Sequence, residues 1–103
     1  MEQNQIKVLE KALKKYGKKS QMMICAEECS ELIQAITKRI RYYKSETINT
    51  RENLVEEIAD VIICIEYLKM IDAIDQSEID LYILSKIKRL NFNISTIDNS
   101  SNK

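Results

Sequence analysis

The chain has 103 residues, 45% of them hydrophobic and 31% charged, with 16 basic and 16 acidic side chains and zero formal net charge. This length holds one domain, and the neutral balance gives no global argument for nucleic acid or an anionic membrane as partner. Histidine is absent, which excludes Glu-x-x-His di-iron sites, His-based triads and hydrolytic metal sites built on imidazole.

One glycine, Gly17, and no proline leave too few turn residues for strand hairpins, so the composition predicts an all-α fold of the four-helix bundle type. Residues 4–16 read as an amphipathic helix with Ile6, Leu9, Ala12 and Leu13 inward. Gly17 is suited to stop it, and Lys18, Lys19 and Ser20 read as a tight loop with Ser20 as an N-cap. Residues 21–43 form a second helix, about 35 Å long at 1.5 Å per residue. Its wheel gathers Met22, Cys25, Cys29, Leu32, Ile33, Ile36 and Ile40 into one arc. Glu28 lies beside that arc, and Glu31 lies further round the same flank, which also holds Gln21, Ile24 and Ala35.

Residues 44–49 carry no pattern. Asn49 and Glu52 have capping-box spacing, which predicts a third helix from Thr50 to about Met70 or Asp72. Between Ile58 and Ile65 this helix is apolar nearly all round, interrupted by Asp60, and a helix apolar on every side is a buried one. In so small a chain, burial on all sides predicts a homodimer or larger assembly. Asp75 and Glu78 repeat the capping spacing ahead of a fourth helix over 76–91, with Ile79, Tyr82 or Ile83, Ile87 and Leu90 inward. A single domain over 1–92 and a polar, flexible tail over 93–103 are expected. Cys25, Cys29 and Cys64 lack C-x-x-C spacing and read as small core residues in a reducing compartment. No apolar run reaches the ~18 residues of a membrane span, and the polar start of the chain does not resemble a signal peptide. The expected location is cytoplasmic.

Two acidic pairs carry the chemistry: Glu28-x-x-Glu31 in helix two and Glu57-x-x-Asp60 in helix three. Residues three apart share a helix face, so each pair projects two carboxylates one way. Packed together, the two helices bring four carboxylates into one volume. Unit charges about 4 Å apart repel by roughly 4 kcal/mol at an effective dielectric near 20, and a divalent cation is the natural counterweight. With only oxygen ligands on offer, Mg²⁺ ranks first and Mn²⁺ second. Solvated helix faces account for most isolated E-x-x-E pairs. Here the pattern occurs twice, each copy opens an apolar stretch, and Asp60 interrupts an apolar run, where an unpaired charge is costly.

Glu27-Glu28-Cys29-Ser30-Glu31-Leu32 and Glu56-Glu57-Ile58-Ala59-Asp60-Val61 resemble the paired motif of the MazG-like all-α nucleoside triphosphate pyrophosphohydrolases, in the short, single-domain form found in bacteria and their phages. The resemblance runs from about Tyr16 to Leu90, with Tyr16-Gly17 and Gln21 before the first motif and Lys86 to Leu90 in the last helix. It implies Mg²⁺-dependent hydrolysis of a nucleoside triphosphate to the monophosphate and pyrophosphate, by a dimer or tetramer. It also implies metal ligation by Glu28, Glu31, Glu57 and Asp60. On the wheel Glu27 and Glu56 point away from the apolar stripe and read as solvated or as supporting the ligands from behind.

Without histidine, the proton acceptor is a carboxylate or a metal-activated water. Glu31 is the candidate catalytic base, because it lies farther than Glu28 from the apolar arc. Gln21, two turns before Glu28, offers a donor and an acceptor to a base. Lys86 and Arg89, one turn apart, are candidates for the charge of pyrophosphate through the resemblance. Lys38, Arg39, Arg41 and Lys44 are rivals for that role. Tyr42, Tyr43 and Tyr67 are candidates for base stacking or for packing. Two other readings stand beside this one: a base-selective dUTP or dCTP pyrophosphatase, and a non-catalytic helical module that dimerises or holds a nucleotide.

Overall fold

The structure, a computed structural model, describes the backbone of residues 1–101 and the side chains up to residue 96. Among the described residues it is all-α, with four helices: α1 (Gln3–Tyr16), α2 (Lys18–Arg41), α3 (Arg51–Ile71) and α4 (Gln76–Ser101). Two compact units divide the chain, Met1–Asp72 and Ala73–Lys103.

In the first unit α1 packs on both α2 and α3, and α2 packs on α3. The turn between α1 and α2 is shorter than the expected three-residue loop. Gly17 adopts φ 90°, a left-handed conformation that costs glycine little. Its N–H donates to Leu13 O, and its own carbonyl accepts Gln21 N–H. One residue therefore closes α1 and opens α2, so Lys18, Lys19 and Ser20 are helical and Ser20 is not a cap. Asn49 Oδ1 accepts Arg51 N–H at 3.0 Å, ahead of α3.

The inward face of α2 departs from the expected apolar arc. Gln21, Cys25 and Ala35 are buried and Glu28 and Leu32 half-buried, and these five share one side of the helix by its 3.6-residue period. Met22, Cys29, Ile33, Ile36 and Ile40, about a quarter turn round, are exposed. On α3 only Cys64 is buried, while Val55, Ile58, Ile62 and Ile65 are exposed. The apolar residues are more numerous than the α1–α2–α3 contacts can cover, so small or polar residues hold the contact face and an apolar flank is left over. Cys25 and Cys64 are core residues as expected, the Cys25 thiol donating to Cys64 O at 3.6 Å, whereas Cys29 is exposed.

The second unit is described by itself. Glu78 Oε2 accepts Asp75 N–H at 2.8 Å, the Glu78 half of the expected capping box, while Asp75 Oδ2 accepts Ser77 N–H at 3.0 Å instead of Glu78 N–H. α4 continues to Ser101 rather than ending near residue 91. No glycine or proline follows Leu90 to stop it. Ser95 and Thr96 donate their hydroxyls to the carbonyls of Asn91 and Phe92, at 3.0 Å each, so the polar residues are absorbed into the helix. Of the tail expected over 93–103, Asn102 and Lys103 lie outside the described residues.

Candidate metal centre

Contacts pair Cys25 with Cys64, Glu28 with Asp60 and Glu31 with Glu57. As the α2 number rises the α3 number falls, so the two helices run antiparallel and their acidic motifs meet. Glu28, Glu31 and Glu57 each bring a carboxylate oxygen within 4.8 Å of the others. Asp60 stands beside this trio. Its charge bears on both Glu28 and Glu57, and Glu28, Glu57 and Asp60 are half-buried while Glu31 is exposed.

The electrostatics follow from crowding. Removal from water, then the charges of Glu31, Asp60 and Glu57, push the Glu28 carboxyl above its ordinary value. Removal from water, then Glu31, Asp60 and Glu56, do the same for Glu57. Glu28 Oε2 and Glu57 Oε2 are buried with no hydrogen-bond partner. Asp60 beside Glu28, and Glu31 beside Glu57, offer only further carboxyl oxygens, which are acceptors when ionised. With all four ionised, the buried oxygens face only other acceptors. An all-oxygen donor set with two orphaned buried oxygens fits a hard divalent cation.

The remaining candidates fall elsewhere. Gln21 is 5% exposed on the contact face of α2. Its side-chain amide has no hydrogen bond to a described residue, which leaves a donor and an acceptor for another partner. Lys86 and Arg89 are exposed on α4. Arg39 and Arg41 are engaged with the neighbouring rings of Tyr43 and Tyr42, at 4.8 and 5.8 Å from the centroids. Tyr67 is half-buried, with its hydroxyl pushed up first by burial and then by Cys25 and Cys64. That favours packing over base stacking for Tyr67. Glu56, read from the wheel as solvated, is exposed, yet its charge still adds to the shift of Glu57. The sequence signal for this was adjacency alone. The contact of Cys25 with Cys64 beside the acids has no local signal in the sequence, because the two residues lie 39 positions apart. Burial, and then Cys25, push the Cys64 thiol up to about 12, which keeps it protonated.

The profile of the MazG nucleotide pyrophosphohydrolase domain matches residues 16–91, well over half of the chain. No curated protein and no solved structure matches it. Among the described residues no helix is long and apolar enough to cross a membrane.

Proposed function

Because the chain belongs to the MazG nucleotide pyrophosphohydrolase family, we propose that it converts a nucleoside triphosphate and water to the nucleoside monophosphate and pyrophosphate in a Mg²⁺-dependent reaction. The observation that carries the reading is the meeting of the two acidic pairs, with two buried carboxylate oxygens left without partners. Glu28, Glu31, Glu57 and Asp60 are the residues that would hold the metal, with Mn²⁺ the nearest substitute. When bound, the cation offsets the charge between carboxylates and polyphosphate, polarises the attacked phosphorus and lowers the pKa of a bound water.

The chain's own groups supply the rest. Glu31, the exposed member of the trio, has room for the attacking water, and its carboxylate oxygen accepts the proton as the new P–O bond forms. The bond that breaks leaves pyrophosphate, whose charge is assigned to Lys86 and Arg89. The Gln21 amide, on a residue 5% exposed and without an internal hydrogen bond, is assigned to the nucleobase.

The same reading includes a homodimer, with a tetramer as its extension, acting in the cytoplasm of a bacterium or of a phage's host. What supports assembly is the apolar flank of Ile33, Ile36, Ile40, Val55, Ile58, Ile62 and Ile65, each 43–75% exposed. Fully burying such a side chain is worth ~1.5–3 kcal/mol, so covering what remains of seven is worth roughly 5–10 kcal/mol. That is comparable to the whole stability of a small domain. A partner copy would cover this flank, and residues from both chains would then line each nucleotide pocket only if its contact extends round α3 to the acids.

Pyrophosphate release from a panel of NTPs and dNTPs, with Mg²⁺ and with EDTA, tests the proposal. Turnover restricted to Mg²⁺ or Mn²⁺ is expected, and the preferred base separates a general enzyme from a dUTP- or dCTP-selective one. Nucleotide binding without release by any substrate would leave the non-catalytic module as the correct reading.

A further inference from the structure

Zero net charge conceals a segregation. Residues 1–19 hold six lysines and two glutamates, a formal +4, and the remaining ten basic and fourteen acidic residues give −4. Lys7, Lys11, Lys14 and Lys15 fall on one side of α1 by its helical period. Lys18 and Lys19 follow at once, because Gly17 joins α1 to α2 without a loop. All six are exposed, and none forms an ion pair with a described residue. Tyr16, 58% exposed, lies at the same corner with Lys15 Nζ 5.4 Å from its ring centroid.

Folding does not account for this arrangement. Lysines in the last turn of α1 suit the negative end of that helix. Lys18 and Lys19, however, occupy the first turn of α2, where the dipole disfavours cations, and that turn has no acidic residue and no side-chain cap. Lys7 with Lys11 and Lys11 with Lys15 are like-charge pairs four apart, which also oppose helix formation. A surface that concentrates cations against local preference is complementary to a polyanion.

The fold then separates the classes of polyanion. A basic amphipathic helix binds a membrane by inserting its apolar face. Here that face is occupied: Leu9 is buried and Ile6, Ala12 and Leu13 half-buried, where α1 packs on α2 and α3. On the outward side the four lysines stand with Glu10 and with Val8, 60% exposed, and no contiguous apolar face is left for insertion. Residues 1–19 contain no arginine, so bidentate recognition of a base edge is absent and the lysines act as point charges toward phosphate.

We propose that the lysine face of α1, continued by Lys18 and Lys19, docks on the phosphate backbone of a nucleic acid without reading its sequence. From Lys7 to Lys15 the face spans about 12 Å of helix axis. That matches about three to four phosphates of one strand, so log Kd should change with log salt at a slope of about 2 to 3 in magnitude for single-stranded DNA. The acid cluster takes no part in this docking, so the outcome is independent of catalysis.

The test is fluorescence anisotropy of the full chain, in EDTA, with two labelled 20-nucleotide single-stranded DNAs of unrelated sequence, between about 50 and 200 mM salt. Equal affinity for both sequences and the stated salt slope are expected. The combined Lys7→Gln, Lys11→Gln, Lys14→Gln and Lys15→Gln variant should bind at least about tenfold more weakly at the lower salt, with a flattened slope. Arginine at the same four positions should restore binding. Lys38→Gln with Arg41→Gln, at the other end of α2, should stay within about twofold of the parent. No binding by the parent chain at the lower salt, equal binding by the glutamine variant, or failure of the arginine variant would each overturn the proposal. So would tighter binding to phosphatidylglycerol vesicles than to either DNA, which would assign the face to a membrane.

Discussion

The face that α2 turns toward α1 and α3 carries Gln21, Cys25, Glu28, Leu32 and Ala35, while the face a quarter turn round carries Met22, Ile33, Ile36 and Ile40. The first is buried or half-buried, and the second is exposed. α3 repeats the division, with Glu57, Asp60 and Cys64 on one side and Val55, Ile58, Ile62 and Ile65 on the other. In a self-sufficient small domain the assignments would be the reverse. The inner contact here combines thiols, an alanine and carboxylates whose repulsion opposes folding, and the aliphatic side chains that could offset it point outward. The contrast separates two roles. The contact face sets the geometry of the acids, and the flank is available to stabilise the chain through a partner.

Changing the contact face should have the largest effect on activity. Under the proposed function, Glu28→Gln, Glu31→Gln, Glu57→Gln and Asp60→Asn should each lower pyrophosphate release by about 100-fold or more, which corresponds to roughly 2.7 kcal/mol of transition-state stabilisation. Circular dichroism should show helicity retained. Glu27→Gln and Glu56→Gln, at exposed positions, should stay within about fivefold. Equal losses at all six positions would erase the distinction between inward and outward acids.

Changing the flank should have the next largest effect, on stability and assembly. Ile36→Glu or Ile62→Glu places a charge where the proposed partner would cover it, and should cost about 3 kcal/mol or more in the assembled state. Light scattering at low micromolar concentration should then show the parent as a dimer or tetramer and the variants as monomers with lowered melting temperature. Met23→Glu, at an exposed position of α2 outside that flank, should change stability by no more than about 0.5 kcal/mol. A parent chain that runs as a folded, active 12.1 kDa species would show that the flank needs no cover.

Much of the contact face was legible from spacing. Glu28 with Glu31, and Glu57 with Asp60, each share a face at i, i+3 whatever the tertiary packing, and the motifs meet because the helices pair antiparallel in the register that sets Cys25 against Cys64. Which side of α2 faces α3 was not legible, because a helical wheel ranks faces by hydrophobicity and predicts that the apolar arc packs within the chain. An arc meant for another surface violates that premise. Helix ends were legible at Asp75 and Glu78 and at Gly17, which closes α1 as expected, but nothing in the sequence marked Gly17 as also opening α2. The single left-handed Gly17 replaced a predicted loop. Past Leu90, polar composition predicted a tail, but Ser95 and Thr96 bond back to their own helix.

The smallest effect is a pH dependence that probes the contact face without mutation. Glu28 and Glu57 have their carboxyls raised, first by removal from water and then by neighbouring carboxylates. An unfolded glutamate titrates near ~4.3. Between that value and the raised ones, the folded chain holds more protons than the unfolded chain, so stability falls as pH rises. The contribution is fully present below ~4.3 and is lost as pH climbs through the folded values. Histidine is absent, so no imidazole titrates in the intervening range and obscures the slope. In EDTA the melting temperature should therefore rise as pH is lowered from neutrality toward ~4.3. Mg²⁺ competes with protons for the same oxygens, so its stabilising effect should grow with pH. At tenfold its Kd it should add about 1.4 kcal/mol, or roughly 6–7 °C for a chain of this size. Glu28→Gln should flatten the EDTA profile and weaken the Mg²⁺ response together, because one carboxylate contributes to both. A flat EDTA profile combined with an unchanged Mg²⁺ response in Glu28→Gln would mean that the contact face neither carries the strain nor holds the metal. The contrast between the two faces would then reduce to their hydrophobicity.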